Sequence, residues 1–264
     1  IASLNQQARY AEAETLARQT VARLRAVRDR NAGGANRIAA TDPAVLYPRA
    51  VEELGVTLLY QGQPADAIAC FREVVPVFPS RRLHHNLSVA FLAEGKLEAA
   101  IQQIAAATAL DRGNATSLAF QGFLLSLAGR SSEAAKAYGA ALQRDPALVT
   151  ARLELAWLLA TCSEDGVRDG KRAVALGESA LTMPGGDSVR GLEVLAAAYA
   201  EVGRLSYAVE AADMALKRFQ RERAQRGAGA APRRGEAERE AALRERLAGY
   251  RAGKPYREPG PRAP

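Results

Sequence analysis

A chain of 264 residues, 48% hydrophobic and 6% aromatic, is long enough to bury a sizeable core. The hydrophobic share is mostly alanine and leucine, strong helix formers, and no stretch alternates apolar with polar residues, so strands have no support. The formal charge of +7 sits in a tail: residues 221–264 hold 12 Lys and Arg against 6 Asp and Glu, leaving 24 against 23 elsewhere. That distribution argues against a nucleic-acid groove and leaves nucleic-acid binding through the basic tail only as a less favoured reading.

In chain order, the sequence opens at Ile1 without an initiator Met, in mid-pattern, which reads as a processed chain or an excised piece. No signal peptide is visible, and no 18-residue apolar run offers a membrane span. Residues 9–24 (RYAEAETLARQTVARL) have the pattern of a second helix of a hairpin, inside a partial repeat over 1–30. Residues 31–47, with NAGGAN and TDP, read as a loop or linker whose Gly-Gly pair argues for mobility.

Four segments then align: LGVTLLYQGQPADAIACF, LSVAFLAEGKLEAAIQQI, QGFLLSLAGRSSEAAKAY and LAAAYAEVGRLSYAVEAA. Each has a small residue second (Gly55, Ser88, Gly122, Ala196) and a large one three later (Leu58, Phe91, Leu125, Tyr199). Nine further on is always alanine (Ala67, Ala100, Ala134, Ala208), and four beyond that stand Phe71, Ile104, Tyr138 and Ala212. The small residue is expected to let two antiparallel helices touch, with the alanine facing it across the hairpin. Gly62, Gly95, Gly129 and Gly203 supply the turn between helices. Pro79 and Pro146 stop two of the second helices, and Arg112 takes the equivalent place in another.

A fifth hairpin, from Leu155, has its Ala156 followed 40 residues later by Ala196, so it carries about six extra residues, most of them in the loop 163–170. The predicted repeats are 48–80, 81–114, 115–148, 149–188 and 189–219. Residues 220–235, rich in Gly, Ala, Pro and Arg, read as a flexible linker. Residues 236–250 return to a helical pattern with Ala241, Leu243, Leu247 and Tyr250 as apolar contacts, and the remainder to 264 is expected to be extended.

The spacing of 33 and 34 residues and the small-large-Ala-aromatic-Pro order over 48–219 resemble the tetratricopeptide repeat. The resemblance implies an all-α fold, a right-handed α-solenoid of helix-turn-helix repeats, and a function in protein–protein interaction. The stretches LAWLLATC, VRDGKRAVAL, LAAAYAEVGR and YRAGKPYRE further resemble the C-terminal repeat region of large bacterial proteins. In several of these the repeats follow a membrane glycosyltransferase or sulfatase-like domain. That resemblance implies a non-catalytic accessory region, cytoplasmic or periplasmic.

In such a solenoid the first helix of each repeat lines the concave face. The residues after the small position, Val56, Val89, Phe123, Trp157 and Ala197, then point into the groove, followed by Leu59, Tyr60, Leu92, Ser126, Leu127, Ala160 and Thr161. The predicted partner-binding set is Tyr60, Val89, Phe120, Phe123, Leu127 and Trp157 with a polar rim of Arg82, His85 and Asn86. Its expected ligand is an apolar or amphipathic protein segment. Two other readings of the stripe stand beside this one: simple core packing between hairpins, and a groove or last repeat covered by the chain's own helix 236–250. The paired Lys and Asn with which some tetratricopeptide domains grip a terminal carboxylate have no counterpart at Thr116, Ala119 and Phe123.

Catalytic signals are missing. His84 and His85 are adjacent, about 100° apart on a helix, and cannot ligate one metal as an i, i+4 pair does. GVRDGKR, from Gly166, has three residues between its glycines where a phosphate loop needs four, and Arg172 stands where Ser or Thr belongs. Cys70 and Cys162, 92 residues apart, read as small buried hydrophobes rather than a disulfide. No nucleophile–base pair is suggested by spacing. Neither a metal nor a cofactor is expected, and the chain is not expected to be an enzyme.

Overall fold

The fold is seen in a computed structural model that describes residues 2–31, 43–226 and 235–259. Among these residues there are twelve helices and no strand. They fall into two compact units, residues 1–112 and 113–264. The first holds α1 (Ala2–Asn31), α2 (Pro43–Tyr60), α3 (Pro64–Val74), α4 (Arg81–Ala93) and α5 (Leu97–Leu110). The second holds α6 (Ala115–Leu127), α7 (Ser131–Arg144), α8 (Val149–Thr161), α9 (Gly170–Leu181), α10 (Val189–Glu201), α11 (Leu205–Gln225) and α12 (Glu236–Arg251). Consecutive helices pack as hairpins: α2 on α3, α4 on α5, α6 on α7, α8 on α9 and α10 on α11.

Local chemistry explains where the helices begin and end. Ser80, Asn114, Asp169 and Ser188 cap α4, α6, α9 and α10, each side-chain oxygen accepting from the amide three residues on, at 2.8–3.1 Å. All the first helices of the hairpins except α8 end in one repeated device. In α4, the Lys96 amide donates to the Phe91 carbonyl at 2.8 Å and the Gly95 amide to Leu92 at 2.9 Å. Gly95 takes φ of +74°, which a Cβ would disfavour. The same pair of bonds closes α2, α6, α10 and α12.

The hairpin cores show what the repeated small residue does. A Cβ at Gly55 would lie 2.4 Å from the Phe71 ring, and one at Gly122 would lie 2.8 Å from Tyr138. The ring of the aromatic residue therefore packs directly on the small residue at these two hairpins and fills the space that the missing side chain leaves. At α4 the alanine is the neighbour: the buried Ser88 hydroxyl donates to the Ala100 carbonyl at 2.7 Å. Ala67, Ala100, Ala134 and Ala208 are all fully buried.

Several boundaries differ from the sequence reading. Helix α1 runs 30 residues and packs along α2, where the predicted helix covered only 9–24. Helix α2 starts at Pro43, inside the predicted loop 31–47, and continues through Pro48. Proline suits a first helical turn, whose amides lack partners anyway, and further in it removes a single backbone bond. The remainder of that loop, 32–42, lies outside the described residues. Helix α11 likewise continues to Gln225, through part of the predicted linker, of which 227–234 lie outside the described residues. The enlarged loop of the fifth hairpin falls where expected. Arg168 holds it together by donating to the Cys162 and Ser163 carbonyls at 2.8 and 3.2 Å and pairing with Asp165 and Glu201.

Helix α12 closes the second unit. Leu243, Leu247 and Tyr250 are buried against Ala196, Ala200, Ala211 and Ala215 and Phe219 of α10 and α11. Its two sunken neighbours are charged but paired: Glu193 meets Arg239 and Arg246, while Glu240 meets Gln220, Arg223 and Arg244. A single carboxylate buried without such partners would be strongly destabilising.

Candidate functional site

In the second unit the first helices lie side by side, α8 touching α6 and packing on α10. A cleft of about 470 Å³ opens there, lined by Phe123, Leu127, Tyr138, Glu154, Trp157 and Arg190, among others. Trp157 forms its floor and is only 7% exposed. The Arg190 guanidinium lies 4.4 Å and that of Arg246 5.5 Å from its ring centre. Both arginines are held by carboxylates, Arg190 by Glu154 at 2.8 Å and Arg246 by Glu193. Cations over an indole face gain from its ring quadrupole. Tyr138 is buried behind the cleft, and that burial pushes its hydroxyl well above the usual range.

The remaining cover is a segment that follows α12. After α12, residues 254–259 leave helical structure and run back over α8. The Tyr256 ring centre lies 5.7 Å from that of Trp157. The Trp157 indole N–H donates to Glu258 at 3.1 Å, and the Glu258 amide donates to the Thr161 carbonyl at 2.9 Å, near the C-terminus of α8. Arg257 pairs with Glu201 of α10 at 2.6 Å. Aromatic contact, indole donor, main-chain bond and ion pair thus fix four successive features of one short extended segment.

The other half of the cleft is open. Phe120 and Phe123 stack with ring centres 6.0 Å apart, and Phe123 and Leu127 are 39% and 49% exposed. Of the sequence-predicted set, Phe123, Leu127 and Trp157 line this one cleft, with Phe120 stacked behind Phe123. The others lie in the first unit. Tyr60 is 69% exposed at the end of α2, and Val89 is half-buried on α4. Arg82 and Asn86 are already engaged: Arg82 pairs with Glu52 at 2.7 Å and with Glu53, and Asn86 donates to Glu52 at 3.3 Å. They tie α4 to α2. His85 is half-buried, and burial together with the nearby Arg81 charge lowers its pKa. His84 meets Gln103 of α5 at 2.9 Å. Cys70 and Cys162 are both free thiols, and burial raises the pKa of Cys70.

Sequence reasoning missed Arg190, Arg246, Tyr256 and Glu258. The signal available was an aromatic followed by a cation and a carboxylate (Tyr256, Arg257, Glu258) in an otherwise Pro- and Gly-rich end.

This arrangement of helix pairs has known counterparts. A tetratricopeptide repeat protein from Parabacteroides merdae is similar over 78% of this chain and 75% of its own, with TM-score 0.59 and 18% identity. The chain has the tetratricopeptide fold. MamA resembles it over 70% of this chain and 98% of its own (TM-score 0.57, 18% identity). PilF of Pseudomonas aeruginosa does so over 77% and 88% (TM-score 0.55, 20% identity). No protein-family model matches the sequence, and neither does any curated protein. Among the described residues no helix is long and apolar enough to cross a membrane.

Proposed function

We propose that the chain is a non-catalytic scaffold that holds a partner polypeptide on the face formed by α6, α8 and α10. One observation carries this reading: a polypeptide segment, residues 254–259, already lies on that face by main-chain, aromatic and ionic contacts. The exposed Phe123 and Leu127 beside it, with Phe120 stacked on Phe123, extend the surface, and their apolar character suits an apolar or amphipathic partner. Stacked helical repeats commonly use such first-helix faces for binding. Tyr60 and Val89 remain proposed contacts within the first unit. Nothing in the geometry favours the reading as an accessory region of a glycosyltransferase or sulfatase, which rests on the sequence resemblance alone.

The test is affinity capture from the source lysate with the wild-type chain and with Phe123→Ala/Leu127→Ala. Both side chains are partly exposed, so helicity should be kept while the captured polypeptide is lost. Equal capture by both proteins would rule out the face.

A further inference from the structure

Helix α12 and the segment after it are attached in very different ways. Helix α12 buries Leu243, Leu247 and Tyr250, whereas within 254–259 only Tyr256 is half-buried and its neighbours are exposed. Gly253, at φ of +74°, ends the helix, and residues 254–259 beyond it have no regular structure. What the segment touches is chemically specific: Trp157 for a ring and a carboxylate, Glu201 for a cation, and the Thr161 carbonyl for an amide. These contacts read three successive residues, and the cleft continues past them toward Phe123.

We propose that the cradle on α8 and α10 is a recognition site for an extended partner segment carrying an aromatic, a cation and a carboxylate in succession. In the unliganded chain, residues 256–258 occupy that site as a tethered competitor. The proposal rests on the reading of this face as polypeptide-binding and adds the partner's chemistry and its regulation. Arg190 and Arg246, with guanidinium groups 4.4 and 5.5 Å from the Trp157 ring centre, bring positive charge to the ring whose N–H donates to Glu258, which favours a carboxylate arriving there. Glu201, already paired with Arg168 at 3.1 Å, faces the arriving cation. A tether this short presents the tail at an effective concentration on the order of millimolar, so an incoming segment of similar intrinsic affinity meets a site that is mostly closed. Its apparent affinity falls in proportion to the open fraction, on the order of tenfold for a tail that is about nine-tenths bound.

The chain has one tryptophan, so its emission reports this site alone. The probe is a synthetic peptide with the sequence of residues 254–259, acetylated and amidated, titrated into the full-length wild-type chain and into Tyr256→Ala and Arg257→Glu variants. Opening the tail should leave Trp157 red-shifted and bind the peptide about tenfold more tightly than wild type. A peptide with alanine in place of its tyrosine and glutamate should not bind. Arg257→Glu changes an exposed side chain and keeps the fold intact should Tyr256→Ala perturb it, and wild type itself should respond at millimolar peptide. Equal affinity for all three proteins, or no response of Trp157 in any, would overturn the proposal and leave the segment a fixed cap. Loss of partner capture on changing Phe123 and Leu127 is a separate result: it bears on the face as a whole and not on the tail's part in it.

Discussion

The hairpin of α4 and α5 in the first unit and that of α8 and α9 in the second are built to one plan and end up in different surroundings. In α4 Leu83, Leu87, Ser88, Ala90 and Phe91 are buried, the helix packing on α5 and α3, while Val89 and Leu92 remain half-open. In α8 every residue from Leu155 to Thr161 is buried, because α10 packs against one side and the returning tail covers another. Val89 and Trp157 hold the same place in their repeats. The framework therefore settles which way a side chain points, and the rest of the chain settles whether water or polypeptide meets it. A stripe of apolar residues at helical spacing cannot by itself distinguish a binding groove from a core.

That contrast can be broken from either side. The largest effect should come from Leu247→Ala, which empties the packing between α12 and the last hairpin. A loss of about 2–5 kcal/mol is expected in urea unfolding, with Trp157 emission moving to the red as the cover loosens. Next, adding a methyl at Gly122 or at Gly55 should destabilise each hairpin by about 1–3 kcal/mol, since the new Cβ meets the Tyr138 or Phe71 ring. Similar losses at both sites would show that the framework, unlike the surface, is equivalent in the two units. Arg257→Glu should change unfolding by about 1 kcal/mol, since Arg257 is itself exposed and Glu201 keeps Arg168 as a partner, yet raise quenching of Trp157 by acrylamide.

The smallest effect concerns pH. Burial holds the His85 pKa below its ordinary value of 6.5, so the unfolded chain binds this proton more readily than the folded one. Stability from this group is present above pH 6.5, falls as pH drops below it, and levels off once the folded pKa is passed. His85→Gln should flatten that part of a thermal-melting profile for wild type between pH 7 and 5. An unchanged slope would remove His85 from the account.

The framework was legible because it depends on near neighbours. The 33- and 34-residue spacing, the Gly at each turn and the fully buried alanines are set by contacts inside one hairpin, and they recur whenever the hairpin does. The close approach of the Phe71 and Tyr138 rings to Gly55 and Gly122 was less legible, since spacing places both Ala67 and Phe71 on the packed side of α3 and only side-chain volume shows that the ring reaches the glycine. The reach of α2 back to Pro43 was hidden because NAGGAN and TDP, with their glycines and the proline itself, read as a loop up to residue 47. Least legible was the tail on Trp157. Glu258 and Trp157 are 101 residues apart, and an extended segment of six residues has no periodicity to announce what it lies against. The helix over 236–250 was readable from Leu243, Leu247 and Tyr250, which recur at helical spacing, while its covering of the last repeat stood only as one of three open readings.

The most direct test is the exchange of the Trp157 indole proton with water, followed by NMR as the single indole resonance of the full-length chain. With Glu258 accepting that proton and Tyr256 lying over the ring, exchange should be slow in wild type. It should quicken in Glu258→Gln and more so in Tyr256→Ala. Fast exchange in wild type, unaltered by either substitution, would contradict the account: the tail would then not lie on α8, and its face would be as open as that of α4.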